Sequence, residues 1–397
     1  MTDSHKQLEL FPDKEYEVGT CASVEKRLAL FGEFPYHSAP FKSRNWGHAL
    51  HSLCSYQSKL KPAIAHFLVR YFSCPGEVVL DPFSGVGTIP FEACLQGRVG
   101  IANDINPVAF HNSNAKVSFP DLSDIEAVLG ELEAYLRECP AGKEELNGVR
   151  LRNINGNIHE YFHERTFGEI VAARRFFRNG KCVSAAYSLV FACLLHILHG
   201  NRPYALSRRS HGITPFAPSG EYVYKPLLQH LRQKVRRSLG YTLPSRYRPG
   251  RAFQASVMAL PDLGCKVDVI ITSPPFLNST RFYLANWLRL WFCGWEDEDF
   301  RSSQRGDYLE EAQARSMGIY RSVFNVLRGV IKPGGLCILH LGVVKGRDMA
   351  EIIRPFAEPC GFETAALLYE SVEGCERHGV RDQGGTGKHQ FLFLRRG

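Results

Sequence analysis

Asp81-Pro-Phe-Ser-Gly-Val-Gly-Thr88 is the stretch that decides the fold of this 397-residue chain. It follows a short apolar run of strand type, 77–80, and leads into 89–95, which has the composition of a helix opening. Gly85 and Gly87 lack the Cβ atoms that would hinder a sharp turn and the close approach of a ligand to helix N-terminal amides. The stretch therefore predicts a strand, a glycine turn that faces a ligand, and a helix.

The residues around this turn indicate which ligand it holds. A second strand, 99–104, ends in Asp104, about where α/β nucleotide sites place the carboxylate that binds ribose hydroxyls. Pro90 stands where the third glycine of a dinucleotide fingerprint would be, which argues against nicotinamide and flavin cofactors. Asp81 suits a cationic group better than a pyrophosphate. Although a Gly-x-Gly pair alone also occurs in structural turns, this charge pattern fits S-adenosylmethionine, which carries an amino group and a sulfonium.

A second motif, Thr272-Ser-Pro-Pro-Phe276, also ends an apolar run. The preceding segment, 266–271, is typical of a buried strand, and parallel α/β sheets bind ligands at the carboxyl ends of their strands. Both motifs are therefore predicted at one edge of one sheet. The alternative interpretation of the second motif is a tight Pro-Pro turn that closes a strand without further function.

Together these residues resemble the class I S-adenosylmethionine-dependent methyltransferases that modify amino groups of nucleic-acid bases, most like the cytosine-N4 DNA methyltransferases. In that family an Asp-Pro-Phe-x-Gly-x-Gly-Thr loop holds the cofactor, Ser-Pro-Pro-Tyr/Phe receives the base, and a Tyr-x-x-Lys-x-x-Pro segment lies near the methionine end. The resemblance covers roughly residues 45–115 and 250–397. It implies these cofactor-binding residues: Tyr56, Lys59, Pro62, Asp81, Pro82, Phe83, Ser84, Gly85, Gly87, Thr88, Asp104 and Ile105.

The second motif also has the chemistry that methylation of an exocyclic amine needs. The lone pair of such an amine is delocalised into the ring, so the site must draw its hydrogens out of plane. The Ser273 hydroxyl and the backbone carbonyls of the Ser273-Pro274-Pro275 run, which the two prolines keep rigid, offer acceptors for both N–H bonds. Phe276 can stack on a base that is flipped out of a duplex, although it lacks the hydroxyl of the Tyr in many relatives. These four residues are the predicted catalytic residues, and the amine is expected to attack the methyl group directly.

The resemblance implies a site-specific DNA methyltransferase that forms N4-methylcytosine in double-stranded DNA. The leading Ser of the second motif favours cytosine N4 over adenine N6 by resemblance only. A role in restriction-modification, with a cognate restriction endonuclease as partner, is likewise an implication of the family. Two alternatives stay open: an RNA or adenine-N6 methyltransferase of the same fold, and a non-catalytic nucleic-acid-binding relative.

The order of predicted elements indicates a doubly wound, mostly parallel, seven-stranded α/β sheet of the Rossmann-like methyltransferase type, with a large basic, mainly helical insertion. The strands are predicted at 77–83, 99–105, 251–257, 266–272, 336–343, 363–369 and 390–395, with helices at 282–293 and 309–330. The last two strands are expected to form an antiparallel pair. The predicted divisions are an unassigned N-terminal extension (1–45), the cofactor half (46–118), an inserted target-recognition region (119–250) and the base-pocket half (251–397).

Positive charge is concentrated in the predicted insertion. Residues 161–251 contain 16 Lys or Arg and 3 Asp or Glu, which gives +13 within a chain of net charge +8. Basic side chains interleaved with aromatic ones suit phosphate contacts and base recognition, whereas a solvated basic helix face is the alternative interpretation. The predicted nucleic-acid-binding residues are Arg202, Arg208, Arg209, Arg246 and Arg248.

Other patterns argue against further sites. The apolar run 183–199 is shorter than the ~20 residues of a membrane span, so it is predicted to be a buried helix of the insertion. The polar N-terminus shows no signal peptide, and a cytoplasmic protein without membrane association is expected. The 12 cysteines include no Cys-x-x-Cys pair, so no metal site is predicted. A phosphate-loop interpretation of 384–389 fails because no Ser or Thr follows the Lys.

Overall fold

The structure is a computed structural model, and it describes residues 23–34, 38–43, 46–149, 151, 157–180, 183–278, 281–371 and 386–397. Residues 1–22 of the predicted N-terminal extension lie outside these ranges, as do Gly384 and Gly385 of the segment 384–389. The strands are β1 (Val78–Asp81), β2 (Val99–Asn103), β3 (Arg251–Phe253), β4 (Val267–Thr272), β5 (Ile331–Val344), β6 (Arg347–Asp348), β7 (Phe362–Ser371) and β8 (Thr386–Arg396).

Fifteen α-helices occur in the described residues. They are α1 (Val24–Glu33), α2 (Pro62–Phe72), α3 (Thr88–Leu95), α4 (Pro107–Val117), α5 (Leu122–Glu138), α6 (Lys143–Gly148), α7 (Glu164–Asn179), α8 (Ala185–Ile197), α9 (Leu227–Leu239), α10 (Phe282–Ala285), α11 (Trp287–Phe292), α12 (Asp297–Ser302), α13 (Leu309–Arg315), α14 (Ile319–Val330) and α15 (Met349–Ala357). Short 3₁₀ turns cover Ala49–Ser52, Ile158–Tyr161, Val257–Ala259 and Glu358–Cys360, and a π turn covers Ser303–Asp307.

The sheet has the strand order β3-β2-β1-β4-β5-β8-β7, and β6 pairs separately with β5. The pairs from β3 to β5 are parallel, whereas β8 is antiparallel to both β5 and β7. The predicted α/β sheet and its antiparallel final pair are confirmed, and the sheet is mixed rather than purely parallel. All seven predicted strands are present, with the two-residue β6 in addition.

Two predicted helices are interrupted. The segment 282–293 divides into α10 and α11 at Asn286, whose φ of −105° and ψ of 17° are not helical. The segment 309–330 divides into α13 and α14 because Ser316 takes an extended conformation, with φ −156° and ψ 126°. The second break leaves α13 in contact with the second motif through Gln313, which in turn accepts a hydrogen bond from Tyr320 of α14.

Alternating strand residues enter two different cores, as a doubly wound sheet requires. Val79 and Ile271 pack with α1 and α2 on one face, and their neighbours Leu80 and Ile270 pack with α14 and α15 on the other. Phe31 of α1 contacts Phe391 edge-to-face at 5.0 Å, which places part of the unassigned N-terminal segment on the sheet.

Helices α5 to α9 lie between β2 and β3 in the chain and pack around α8. This helix is buried along nearly its whole length, as predicted for 183–199. Within the described ranges, no helix is long and apolar enough to cross a membrane.

Candidate functional site

A direct hydrogen bond joins the two sequence motifs. Because β1 and β4 are neighbouring parallel strands, their last residues, Asp81 and Thr272, meet at the carboxyl edge of the sheet. Thr272 Oγ1 donates to Asp81 Oδ1 at 2.7 Å, and Phe83 N donates to the same oxygen at 3.2 Å. The two motifs therefore begin at the same edge of the sheet, although 191 positions separate Asp81 from Thr272.

The glycine turn has a shape that other residues could not adopt easily. Gly85 and Gly87 have φ angles of +49° and +71°, in the left-handed region. A Cβ on Gly87 would lie 2.7 Å from Ser113 Oγ and 2.9 Å from Ser113 Cα. The fully buried Lys116 donates from below to the carbonyl of Val86. The turn is thus fixed on its inner side, and Thr88 opens α3 after it.

Asp104 holds this turn against the end of β2. Its Oδ2 accepts from Gly85 N and its Oδ1 from Asn106 N, both at 2.9 Å. The buried Asn103 donates from Nδ2 to the carbonyls of Pro82 and Ala255. These contacts fix the loop 82–85 and the residues that follow β2, including Ile105, at the same edge of the sheet.

The two aspartates have no cationic partner among the described residues. Burial raises the pKa of Asp81 to about 7, although the hydrogen bonds from Thr272 and Phe83 oppose this shift. Burial likewise raises the pKa of Asp104 to about 6 against the hydrogen bonds from Asn106 and Gly85. In the described part of the chain neither carboxylate forms an ion pair with Lys or Arg, so the site favours a cationic ligand. S-adenosylmethionine, with its amino group and sulfonium, fits this charge.

Of the Tyr-x-x-Lys-x-x-Pro segment, the tyrosine enters this site. The Tyr56 ring lies over Gly85, where an added Cβ would be 3.6 Å from the ring. The Tyr56 hydroxyl accepts from Asn106 Nδ2 at 3.3 Å. The ring also stacks on Phe282, with centroids 6.1 Å apart and planes 7° apart. Lys59 instead donates to the carbonyl of His51 at 2.8 Å, and Pro62 is the first residue of α2. These two residues position the segment that carries Tyr56.

The remaining loop residues have mainly packing roles. Phe83 packs against the core on the α14 side of the sheet. Ser84 is buried, with its Oγ 3.4 Å from Ser113 Oγ.

The second motif is held rigidly from two sides. Gln313 of α13 donates from Nε2 to the carbonyls of Pro275 and Phe276, both at 3.1 Å, and accepts from Tyr320 Oη at 3.0 Å. The ring of Phe276 lies against Gly342 of β5, where a Cβ would be 2.7 Å from Cδ2. The Pro274 carbonyl accepts no hydrogen bond from the residues described, so it stays available to a substrate.

His340 is a site residue that the motifs do not reveal. It lies on β5, and its Nδ1 is 3.1 Å from Ser273 Oγ. Its ring contacts Phe276 and His389, with centroids 5.5 Å and 4.8 Å away. Burial, with the nearby His389 and Lys61, lowers the pKa of His340 well below its ordinary value, so the ring is neutral. A lone His within the otherwise apolar strand 336–344 is the only sequence signal for it.

The predicted nucleic-acid-binding arginines do not form one cluster. Arg202 and Arg209 are exposed on the segment that follows α8. Arg208 is tied to the carbonyls of Gly220 and Glu160 and lies over the Tyr222 ring. Arg246 and Arg248 contact residues near the amino ends of β1 and β2, at the opposite edge of the sheet from the two motifs.

The folded insertion also carries less positive charge than its basic part suggests. Residues 119–250 contain 19 Lys or Arg and 12 Asp or Glu, a net charge of +7. Arg232 pairs with Glu126 and Glu133 of α5, and Arg175 pairs with Glu145 of α6. Several of the basic side chains therefore hold the insertion together.

Residues 51–136 match the family model described as RMKL-like, methyltransferase domain. The match covers about a fifth of the chain and includes Tyr56, the glycine turn and Asp104. It supports methyltransferase activity and S-adenosylmethionine as the cofactor. No curated protein matches the sequence.

Solved structures with a similar fold are distant. TrmN from Thermus thermophilus is 14% identical with a TM-score of 0.33, and the alignment covers 86% of this chain and 50% of that chain, so this chain spans half the length of TrmN. The rRNA methyltransferase aviRa from Streptomyces viridochromogenes is 10% identical, with 86% and 89% covered and a TM-score of 0.34. A TehB-like SAM-dependent methyltransferase from Corynebacterium glutamicum is 8% identical, with 84% and 86% covered and a TM-score of 0.32. Likenesses at this level decide neither substrate nor reaction.

The raised pKa values of Asp81 and Asp104 predict that cofactor binding depends on pH. A cationic ligand binds the ionised form of these carboxylates. Below about pH 6 to 7 both carboxyl groups are largely protonated and must lose their protons when the ligand binds, which weakens binding. We expect the Kd for S-adenosylmethionine, measured by calorimetry, to fall at least about 10-fold between pH 5 and 7.5. Asp81→Asn should raise the Kd at pH 7.5 and flatten this dependence, whereas Asp262→Asn, on an exposed residue, should not. A Kd that is independent of pH in the unaltered protein would contradict the charge assignment.

Proposed function

We propose that this protein is an S-adenosylmethionine-dependent methyltransferase that modifies the exocyclic N4 of cytosine in a specific sequence of double-stranded DNA. The observation that carries the proposal is the hydrogen bond between Thr272 and Asp81. It supports the proposal because it joins the strand end that begins the Ser-Pro-Pro-Phe segment, which suits an aromatic amine, to the strand end that begins the proposed cofactor loop. Cytosine rather than adenine, and DNA rather than RNA, follow from the resemblance of the motifs.

The proposed catalysis consists of positioning the amine and localising its lone pair. The cofactor supplies a methyl group on a positively charged sulfur. When the Ser273 hydroxyl donates its hydrogen bond to Nδ1 of the neutral His340, the lone pairs of Ser273 Oγ are free to accept one amine N–H. The Pro274 carbonyl can accept the other N–H. Holding the two hydrogens in this way directs the nitrogen lone pair out of the ring plane, and fixed acceptors need no reorganisation during the reaction.

The neighbours of Phe276 suit it to hold a flipped base. Its ring is packed against Gly342, His340 and His389 but remains partly exposed. A fixed aromatic ring offers stacking energy that offsets part of the cost of taking a base out of the duplex. We therefore assign Phe276 to base binding, and Ser273 and Pro274 to the amine.

The insertion 119–250 is the proposed target-recognition region, between the cofactor half 46–118 and the base-pocket half 251–397. The fully buried Arg289 of α11 donates to the carbonyls of Leu195, Gly212 and Ile213, and Trp287 Nε1 donates to that of Pro215 at 3.1 Å. These bonds fix the segment after α8 to the helices that follow the second motif.

That segment has features that suit a nucleic acid. It exposes Arg202, Arg209 and the aromatic rings of Phe216 and Tyr222, a combination that suits phosphate and base contacts. A sequence-specific DNA methyltransferase of this kind would act in restriction-modification beside a cognate restriction endonuclease.

A methyl-transfer assay tests the proposed reaction. Labelled S-adenosylmethionine is incubated in parallel with unmethylated duplex DNA of diverse sequence and with total RNA, and digests are analysed by nucleoside mass spectrometry. We expect N4-methylcytosine in the DNA, and we expect Ser273→Ala to slow its formation by about 100-fold or more while cofactor affinity stays within about 3-fold. Label found only in RNA, or on adenine N6, would replace the proposed substrate. Cofactor binding without transfer to any nucleic acid would indicate a non-catalytic relative.

The salt dependence of DNA binding tests the recognition region. Each Lys or Arg that neutralises a phosphate contributes about 1 to the slope of log K against log salt concentration. Arg202→Ala and Arg209→Ala should each reduce this slope, because both side chains are exposed on the segment that Arg289 and Trp287 attach to α11. Arg248→Ala removes the same charge at the opposite edge of the sheet and should leave the slope unchanged. An equal effect of all three substitutions would indicate non-specific attraction and no recognition region here.

A further inference from the structure

A buried glutamate outside both motifs lies between the cofactor residues and the second motif. Glu310 is on α13, three positions before Gln313, so both side chains project from the same face of the helix. Gln313 contacts the carbonyls of Pro275 and Phe276. Glu310 Oε1 accepts from the amide of Phe282 at 3.2 Å. The carboxylate thus lies beside the segment that is proposed to hold the amine.

The same carboxylate is also close to the cofactor residues. Phe282, whose backbone amide donates to Glu310, stacks its ring on Tyr56. The charge of Asp104 raises the pKa of Glu310, and the charges of both carboxylates raise the pKa of Tyr308. Glu310 is therefore near two predicted cofactor-binding residues, Tyr56 and Asp104.

A second observation indicates that a ligand belongs here. The hydroxyl of Tyr308 is buried and has no hydrogen-bond partner among the described residues. The pKa of this hydroxyl is raised well above its ordinary value by burial and by its neighbours Tyr56, Asp104 and Glu310. A buried polar group normally has a partner, so a hydroxyl that the described residues leave unpaired is a hydrogen-bonding group that a bound ligand can satisfy.

Nothing in the described structure neutralises Glu310. The residue is 8% exposed, and burial, together with the charges of Asp104 and Glu311, raises the pKa of its carboxyl group to about 7. The adjacent Glu311 is different, because it pairs with Arg281 at 2.5 Å and accepts from Tyr283 Oη at 2.7 Å. Glu311 therefore has a cationic partner, whereas Glu310 has none among the described residues.

We propose that Glu310 is a cofactor-binding residue that faces the sulfonium of S-adenosylmethionine. The reacting methyl group must lie between the cofactor residues and the amine, and Glu310 occupies that boundary. A carboxylate at this position favours the positively charged cofactor over its neutral thioether product, S-adenosylhomocysteine. This assignment of the sulfonium end rests on the proposed function, because the position of the amine defines where the methyl group must be.

The two ligands themselves provide the test. They share the adenosine, amino and carboxylate groups and differ in the sulfonium methyl, so the ratio of their Kd values isolates the sulfur charge. We expect Glu310→Gln to raise the Kd for S-adenosylmethionine by about 10-fold and the Kd for S-adenosylhomocysteine by less than about 3-fold, as measured by calorimetry at pH 7.5. Gln retains an oxygen that can accept from Phe282 N, and Glu310→Asp, which retains the charge, should preserve most of the preference.

Glu311→Gln is the matched control, because it removes the same charge from the next residue of the same helix. It should leave the ratio of the two Kd values unchanged, and thermal unfolding would verify that each variant is folded. Equal weakening of both ligands by Glu310→Gln, or no weakening, would overturn the proposal. Since no nucleic acid is present, this result is independent of the methyl-transfer assay: a wrong substrate assignment would leave the binding ratio intact.

Discussion

The hydrogen bond from Thr272 to Asp81 is the contact on which the rest of the site depends. Each residue is the last of its strand, and adjacent parallel strands bring such residues together only at the carboxyl edge. The bond joins the loop of one motif to the start of the other. Because Phe83 donates to the same carboxylate oxygen, the orientation of Asp81 also sets the course of the glycine turn.

A second constraint is electrostatic. Asp81, Asp104 and Glu310 are kept in surroundings that raise the pKa of each, and none of them has a cationic partner among the described residues. A carboxyl group with a raised pKa in the folded state contributes stability that is lost as the pH rises through that folded value, here about 6 to 7. The protein therefore keeps a charge arrangement that costs stability near neutral pH, and a ligand with an ammonium and a sulfonium would offset this cost. Uncompensated charge of this kind is typical of binding sites.

The sequence contained the strands, both motifs and the buried helix of the insertion because each is encoded locally, by apolar runs, glycine and proline. It could not reveal Gln313, His340 or Glu310, since their roles depend on which helix and strand pack beside the second motif. Composition also could not separate Arg209, on the segment that packs against α11, from Arg248, near the amino ends of the strands. The acidic partners of Arg175 and Arg232 lie on α6 and α5, outside the strongly basic segment 161–251. The sequence also could not show the helix break at Ser316. The backbone is extended there, but serine has only a weak preference against helix.

The central claim is that one edge of the sheet holds both the cofactor and the amine. A crystal structure with bound S-adenosylhomocysteine tests it most directly. The account predicts that the ribose lies at Asp104, the amino group at Asp81, and the sulfur in the space between Tyr56, Glu310 and the Ser273–Phe276 segment. A ligand bound with its sulfur away from Ser273, or at another edge of the sheet, would contradict it.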